Sequence, residues 1–267
     1  MLNKTQLLPD RPGIPPMAPM PEPEVVDPAA LSAAYRQGEI DLICVLGPTA
    51  SGKTRYAVQL AREMGNAHIL SADSRQVYMG MDIGTGKDLR EYGEVPYHLI
   101  DLVPAGTKYN IYQYQKAFAD AYAAIRAAGA IPILCGGSGL YIEAVTRAYK
   151  FEKENGLPAS ALPQRVYYIG TLVSREERVE RIDRRLEERL QEGLVEEVRG
   201  LLETVSAQDL IYYGLEYKFV TQYILGELSY DDMVVALGNA IHQFAKRQMT
   251  WFRGMERDGI RIHWVRP

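Results

Sequence analysis

Eight residues, Gly47-Pro48-Thr49-Ala50-Ser51-Gly52-Lys53-Thr54, constrain this chain more than any other stretch. They follow the pattern G-x-x-x-x-G-K-[ST], which works through its backbone. The glycines let successive N–H groups turn inward onto phosphate oxygens, and the positive N-terminal end of the next helix adds to them. In this pattern Lys53 supplies a point charge to the terminal phosphates, and the Thr54 hydroxyl is placed to ligate Mg²⁺. The flanks agree: Asp41–Leu46 is a short apolar run that reads as a buried strand, and Tyr56–Met64 has helical spacing. The competing reading is a tight strand-to-helix turn that happens to contain a lysine. The loop predicts that a polyphosphate binds, but not what is done with it.

The same alternation continues along the chain. Strands are expected at 41–46, 67–71 and 131–135, and helices at 53–64, 112–128 and 139–147, with a loop-rich stretch up to 110. Such alternation implies a parallel sheet with helices on both faces, which binds ligands at the carboxyl ends of its strands. Residues 47–54, 71–78 and 136–141 all fall there. Another buried strand is read at Arg165–Val173, after a linker over 150–164. Beyond it the character is mostly helical, at 174–192, 194–205, 214–225 and 230–254, with a last strand near Ile260–Val265. The first 28 residues hold eight prolines and few periodic apolar positions, too little to offset their ordering entropy, so they read as an extended or disordered arm. With a short helix at Ala29–Gln37, the expected division is an arm plus helix over 1–38 and one folded domain over 39–267, helical from about 174.

Charge bounds the partners. The formal net charge is −4, so any nucleic-acid footprint has to be a local patch. Cys44 and Cys135 each lie inside an apolar strand-like run and read as buried core thiols of a reducing compartment. There is no apolar run of the roughly 18 residues a membrane span requires, and the N-terminus lacks the charged-then-apolar order of a signal peptide, so the cytoplasm is the expected location.

Further candidate chemistry lies past the strand ends. Asp73, in Ser71-Ala72-Asp73-Ser74-Arg75-Gln76-Val77-Tyr78, could accept a proton from a nucleophile, bind Mg²⁺ through water, or cap the next turn. Met81-Asp82-Ile83-Gly84-Thr85-Gly86-Lys87 is a second glycine-rich segment whose lysine could reach a phosphate. His98 stands three residues before Asp101. Gly136-Gly137-Ser138-Gly139-Leu140-Tyr141, between a strand and a helix, could form a second anion-facing turn through its N–H groups and Ser138.

In this order, these motifs resemble those of the tRNA dimethylallyltransferases. Arg181 and Arg185, followed by Gly193–Val198, resemble that family's post-insertion helix pair, and Lys246-Arg247-Gln248-Met249-Thr250-Trp251-Phe252-Arg253 closely resembles its late Lys-Arg-Gln…Trp-Phe-Arg motif. Tyr217-Lys218 resembles a Gly-Tyr-Lys segment, with Glu216 standing where glycine is usual. Ser138 stands where threonine is common. The resemblance runs from about 41 to 255 and implies a P-loop NTPase-like α/β fold, a parallel sheet flanked by helices with a mostly helical C-terminal part.

It also implies a prenyl transfer: a dimethylallyl group moves from dimethylallyl diphosphate to N6 of an adenine next to the tRNA anticodon. In that implied site, residues Gly47 to Thr54 clamp the diphosphate, and Lys53 with Arg185 or Arg181 neutralises it. Thr54 holds Mg²⁺, and Asp73 takes the amine proton. Thr49 and Ser138 position diphosphate or the reacting groups, and Asp73, Ser74, Arg75, Gln76 and Ser138 face the acceptor. One departure concerns RNA: the helical insertion that grips the anticodon stem-loop in tRNA-modifying members is missing, and Gln164-Arg165 is at most a remnant of the Gln-Arg-Leu-Ser-Arg type motif beside it. The zinc-binding extension of eukaryotic relatives is absent too. Two alternatives therefore stand beside tRNA transfer by a monomer: the same transfer to free AMP, ADP or ATP, and a P-loop small-molecule or nucleoside kinase with Asp101 as a metal-site acid. The bland readings place Trp251, Phe252, Tyr212, Tyr213 and His242 in the core, and the arginine-rich helix 174–192 on a solvated, salt-bridged surface.

Overall fold

The computed structural model describes residues 21–147 and 159–267. In chain order its strands are β1 (Leu42–Leu46), β2 (Ala67–Ser71), β3 (Tyr78–Met79), β4 (Tyr97–His98), β5 (Val103–Pro104), β6 (Ile131–Gly136), β7 (Val166–Thr171) and β8 (Ile262–Val265). Six of them form one parallel sheet ordered β4-β2-β6-β1-β7-β8, and β3 pairs with β5 apart from it. Every residue of β1 and β6 is buried, because a parallel sheet covered on both faces has no solvent side for polar residues to alternate toward. Successive β1 side chains still take opposite faces. Leu42, Cys44 and Leu46 belong to one apolar cluster, Ile43 and Val45 to the other.

The helices divide between these faces. α1 (Pro28–Arg36) and α2 (Lys53–Met64) cover one, through Leu31, Ala57, Val58, Leu60 and Ala61. The other carries α3 (Ile111–Ala127), α4 (Gly139–Thr146), α5 (Arg175–Glu192), α6 (Leu194–Leu201), α7 (Ala207–Tyr213), α8 (Leu215–Ile224) and α9 (Tyr230–Arg257), with Phe118, Ile142, Leu186, Leu237 and Phe252 among its buried residues. The expected α/β class and nearly every long element are present. Sequence periodicity misses α7, whose seven residues offer too few turns for a pattern, and the two-residue strands β3, β4 and β5. The helix expected over 194–205 stops at Leu201.

Topology builds the site. β2, β6 and β1 are neighbours, and Leu46 pairs with Gly136 as Ser71 pairs with Cys135, so these strands end almost level. The loops that follow them, starting at 47, 72 and 137, therefore open onto one edge. Tyr114, fully buried on α3, donates its hydroxyl to the Ser71 carbonyl (2.9 Å), fixing the end of β2. The described end of the proline-rich arm is extended and exposed, yet held. The Glu24 N–H donates to the Trp264 carbonyl on β8 (2.7 Å), and the Glu24 carboxylate meets His263 (2.7 Å). The earlier part of the arm, and residues 148–158 of the linker, lie outside the described residues. Arg165 and the backbone of Gln164 hold Asp41 at the start of β1 (Arg165 Nη2 to Oδ1, 2.9 Å). Burial opposes ionisation of Asp41, but these hydrogen bonds outweigh it and keep the carboxyl below its ordinary range.

Candidate active site

A cavity of about 710 Å³ opens at that edge. The octapeptide lines it through Thr49, Lys53 and Thr54. Gly52 takes φ +83° at the start of α2, a left-handed turn that glycine adopts without strain. Lys53 lies at the floor, 3.5 Å from the Pro48 carbonyl, and burial lowers its pKa, so it gains from an anion beside it. Ser51 does not face the cavity: it is fully buried, and its hydroxyl meets that of Thr171 at the end of β7 (2.7 Å). Gln248 from α9 joins two loops. Its Oε1 accepts the Thr49 N–H (2.8 Å), and its Nε2 donates to the Gly137 carbonyl (2.9 Å). A side chain on Gly137 would put its Cβ 2.4 Å from Gln248 Nε2, so this bridge requires glycine there. Cys44 and Cys135 are free and buried as expected. Cys135 borders the cavity, with its thiol pushed up to about 12 by burial.

The expected acceptor residues Asp73, Ser74, Arg75, Gln76 and Ser138 all line this cavity. Asp73 fills one of the roles open to it in the sequence, the turn cap. Its Oδ1 caps the turn by accepting the Arg75 N–H (2.9 Å), and an ionised carboxylate keeps further acceptor sites for a ligand. The Ser138 hydroxyl accepts the Ser74 N–H (3.0 Å), and the Ser138 N–H donates to the Ala72 carbonyl (3.2 Å). The Gly136–Tyr141 turn thus spends these groups fastening the Asp73 segment, not facing an anion. Gln76 is likewise tied, to the Ser71 hydroxyl and the Gly86 carbonyl.

The arginines of α5 differ from expectation. Arg185 reaches the cavity wall, where it pairs with Asp88. Arg181 approaches the loop at Gly52 but is held by Glu177 (2.6 Å) and does not line the cavity. Arg189, which the sequence reading did not single out, does. Its Nη1 lies 3.3 Å from Glu216 and 3.4 Å from the Gly84 carbonyl, and its Nη2 converges with that of Arg185 over Gly86. Residues 181, 185 and 189 recur every four positions on one helical stripe, which was the available signal. Glu216 is therefore the floor partner of Arg189. Burial raises its carboxyl pKa against the pull of that guanidinium.

Several expectations fail for one reason, that the chain satisfies its own groups. Lys87 is buried and reaches no phosphate site. Its ammonium donates to the Tyr78 carbonyl (2.7 Å), to Asp82 (2.6 Å) and to Asp101. Asp101 is thereby engaged as a counter-ion and lies off the cavity, so it is no free metal-site acid for a kinase. The N–H groups of Asp82, Ile83 and Gly84 enclose the Glu197 carboxylate of α6 (2.7–3.1 Å) in place of an external anion. His98 stacks on His68 of the neighbouring strand, 3.0 Å between ring nitrogens, away from the cavity. Burial and that neighbour lower its pKa. His242 is half-buried and pairs with Asp183 of α5 (2.7 Å), so it is not a core residue. Phe252 and Tyr213 are buried as expected, but Trp251 and Tyr212 are 41% and 76% exposed and stand at the cavity's mouth. The surface reading of α5 holds for Arg184 and Glu188 and fails for the stripe that meets the cavity.

The IPP transferase family matches residues 76–161 and 150–255, and the isopentenyl transferase family residues 40–95. The tRNA dimethylallyltransferase 2 of Bacteroides fragilis is 45% identical over 285 residues, covering 85% of this chain and 93% of that protein. The tRNA dimethylallyltransferase 1 of Parabacteroides distasonis is 46% identical over 283 residues, with 84% and 92% covered. Both spans exceed the 267 residues of this chain, so these relatives carry residues that it lacks. The two IPP transferase matches meet at 150–161, where the missing insertion is expected. Among solved structures, the tRNA isopentenylpyrophosphate transferase of Bacillus halodurans superposes with a TM-score of 0.74 at 27% identity, over 84% of this chain and 89% of that one. A eukaryotic dimethylallyltransferase acting on tRNA shares the fold, with a TM-score of 0.72 at 18% identity over 84% and 74%. With its phosphate loop, its Asp73 segment and its late Lys-Arg-Gln motif gathered on one cavity, this chain belongs to the tRNA dimethylallyltransferase family.

Proposed function

We propose that this protein transfers a dimethylallyl group from dimethylallyl diphosphate to N6 of the adenine next to a tRNA anticodon. The observation that carries the reading is the convergence of Lys53, Arg185 and Arg189 with Asp73 in one cavity. The three cations are suited to the leaving group. As the allylic C–O bond breaks, its electron pair departs with the diphosphate, and charge developing there is what preorganised cations stabilise. The allylic carbon bears the complementary positive charge until the N6 lone pair forms the new C–N bond. Asp73 accepts the N6 proton, and its turn with Arg75 and the hydroxyl of Ser138 hold it in position. Thr49 is braced by Gln248 for the same diphosphate.

The donor chemistry at the floor fits Mg²⁺. This ion often takes only one or two protein oxygens and completes its shell with substrate phosphates and water. The Thr54 hydroxyl offers one such oxygen, and among the described residues no cluster of three or more His, Cys, Asp or Glu side chains competes with that arrangement. When bound, Mg²⁺ supplies neutralisation of diphosphate charge.

A second reading, transfer to a free adenine nucleotide, is favoured by the shorter span relative to the tRNA-modifying relatives. One assay separates the two. Purified protein with Mg²⁺ and radiolabelled dimethylallyl diphosphate is offered unmodified tRNA, AMP, ADP and ATP in separate reactions. Label in tRNA is expected; label on a nucleotide replaces the acceptor, and ATP turnover without label overturns prenyl transfer.

A further inference from the structure

Two carboxylates line the cavity beside its cations, Asp73 and Glu216. Asp73 has its role in the proposed transfer, whereas a second carboxylate among cations suited to phosphate works against them. Glu216 is nevertheless firmly placed. It stands in the first turn of α8, where the positive end of the helix favours an acidic side chain. Its Oε1 lies 3.3 Å from Arg189, and the Glu216 and Arg189 side chains are only 19% and 11% exposed, so water screens their charges poorly. Arg185 is likewise engaged, by Asp88. Behind the Arg189–Glu216 pair the protein closes. A notch of about 10 Å³ separates the pair from Thr49, Ile182 and Ile241, about the space one water needs.

We infer that Glu216 determines how long a polyphosphate this cavity takes, admitting a diphosphate and turning away a triphosphate. The inference rests on the diphosphate-donor reading above and deepens it, by naming what excludes the triphosphates that phosphate loops commonly hold. The loop N–H groups and Lys53 recognise phosphoryl groups without counting them. Counting falls to what surrounds the cations. Toward Arg189, a third phosphoryl group meets the Glu216 carboxylate and finds only the notch beyond it. Toward the acceptor, it meets Asp73 and carries the allylic carbon away from the amine. The Arg185 and Arg189 guanidiniums are already shared with Asp88 and Glu216, so they have less charge to offer an additional phosphoryl group. Selectivity of this kind comes from an opposing charge, not from tighter contacts to the accepted ligand.

The test is calorimetry on the full-length protein with Mg²⁺, giving Kd for inorganic pyrophosphate and for inorganic tripolyphosphate. The wild type is expected to bind pyrophosphate about tenfold more tightly than tripolyphosphate. Glu216→Gln, equal in size but uncharged, is expected to remove most of that preference, and Glu216→Ala, which also opens space, at least as much. Freeing Arg189 strengthens binding of both anions, so the ratio of the two Kd values is the readout. A merely structural role for Glu216 would change both Kd values together and leave the ratio unmoved. Equal affinities in the wild type, a result that needs no variant to fold, overturn the inference. So does a ratio unchanged in both Glu216→Gln and Glu216→Ala, even if dimethylallyl diphosphate labels tRNA. A wild type that prefers pyrophosphate through Glu216 but transfers no label from dimethylallyl diphosphate sinks the donor reading and leaves the length selection standing.

Discussion

At and beneath the floor of the cavity, hydrogen bonds join segments between 64 and 199 residues apart in sequence: Ser74 to Ser138, Gln248 to Gly137, Ser51 to Thr171 and Thr49 to Gln248. At its mouth, Tyr212 lies against Arg75 and the Tyr213 ring and Phe244 against Arg247, and both rings are exposed. The floor thus has its polar groups oriented before a ligand arrives, which is what the proposed stabilisation of a departing diphosphate demands. The mouth instead presents exposed ring faces. Trp251 lies between the two regimes, with its indole N–H fixed and its ring half-exposed.

Five experiments would break or sharpen that contrast. The largest effect is expected from Asp73→Asn: prenyl transfer falls by roughly 10²–10⁴-fold, while calorimetric pyrophosphate affinity stays unchanged. Near-normal turnover would remove Asp73 from the chemistry.

Arg189→Ala comes next. Losing a charge-assisted contact at the floor should weaken pyrophosphate binding by roughly 10–100-fold. Its partner Glu216 supplies a pH test. Because burial raises the Glu216 pKa above 4.5, the folded protein takes up that proton at a higher pH than the unfolded chain does. This carboxyl therefore favours the folded state as pH falls through the window above 4.5, and disfavours it as pH rises. Melting temperatures of the wild type and Glu216→Gln, followed downward through that window, should shift in favour of the wild type. A shift the other way would mean that Arg189 outweighs burial.

Gln248→Ala leaves the Thr49 N–H and the buried Gly137 carbonyl without their partner. An orphaned buried group costs about 1–3 kcal/mol, so a loss of about 2 kcal/mol is expected in chemical denaturation, together with weaker pyrophosphate binding. If stability drops but binding does not, the bridge shapes the fold rather than the phosphate loop. The smallest effect is at the mouth, where Tyr212→Ala should move folding stability by no more than about 0.5 kcal/mol. A larger loss would show that Tyr212 is part of the packing, contrary to its exposure.

The legibility of the molecule follows the same division. The octapeptide, the apolar runs around Cys44 and Cys135 and the 3.6-residue spacing of the long helices are local patterns, and they determined the α/β class and the edge of the sheet that carries the site. The place of Asp73 at the sheet edge was legible because it lies two residues past the end of β2. Lys87 and the glycines before it carried the same local signature as a phosphate site. Only the fold revealed that Glu197, more than a hundred residues away, occupies those N–H groups, and that Tyr78, Asp82 and Asp101 use up the lysine. Arg189 was not singled out because its partner Glu216 is on another helix, and Tyr212 and Trp251 were assigned to the core because an aromatic residue's exposure depends on what packs over it. Residue type and spacing record what a segment offers. Which offers remain open to a ligand was decided by the tertiary structure, because a group whose hydrogen-bonding capacity is fully spent within the chain has none left for anything outside it.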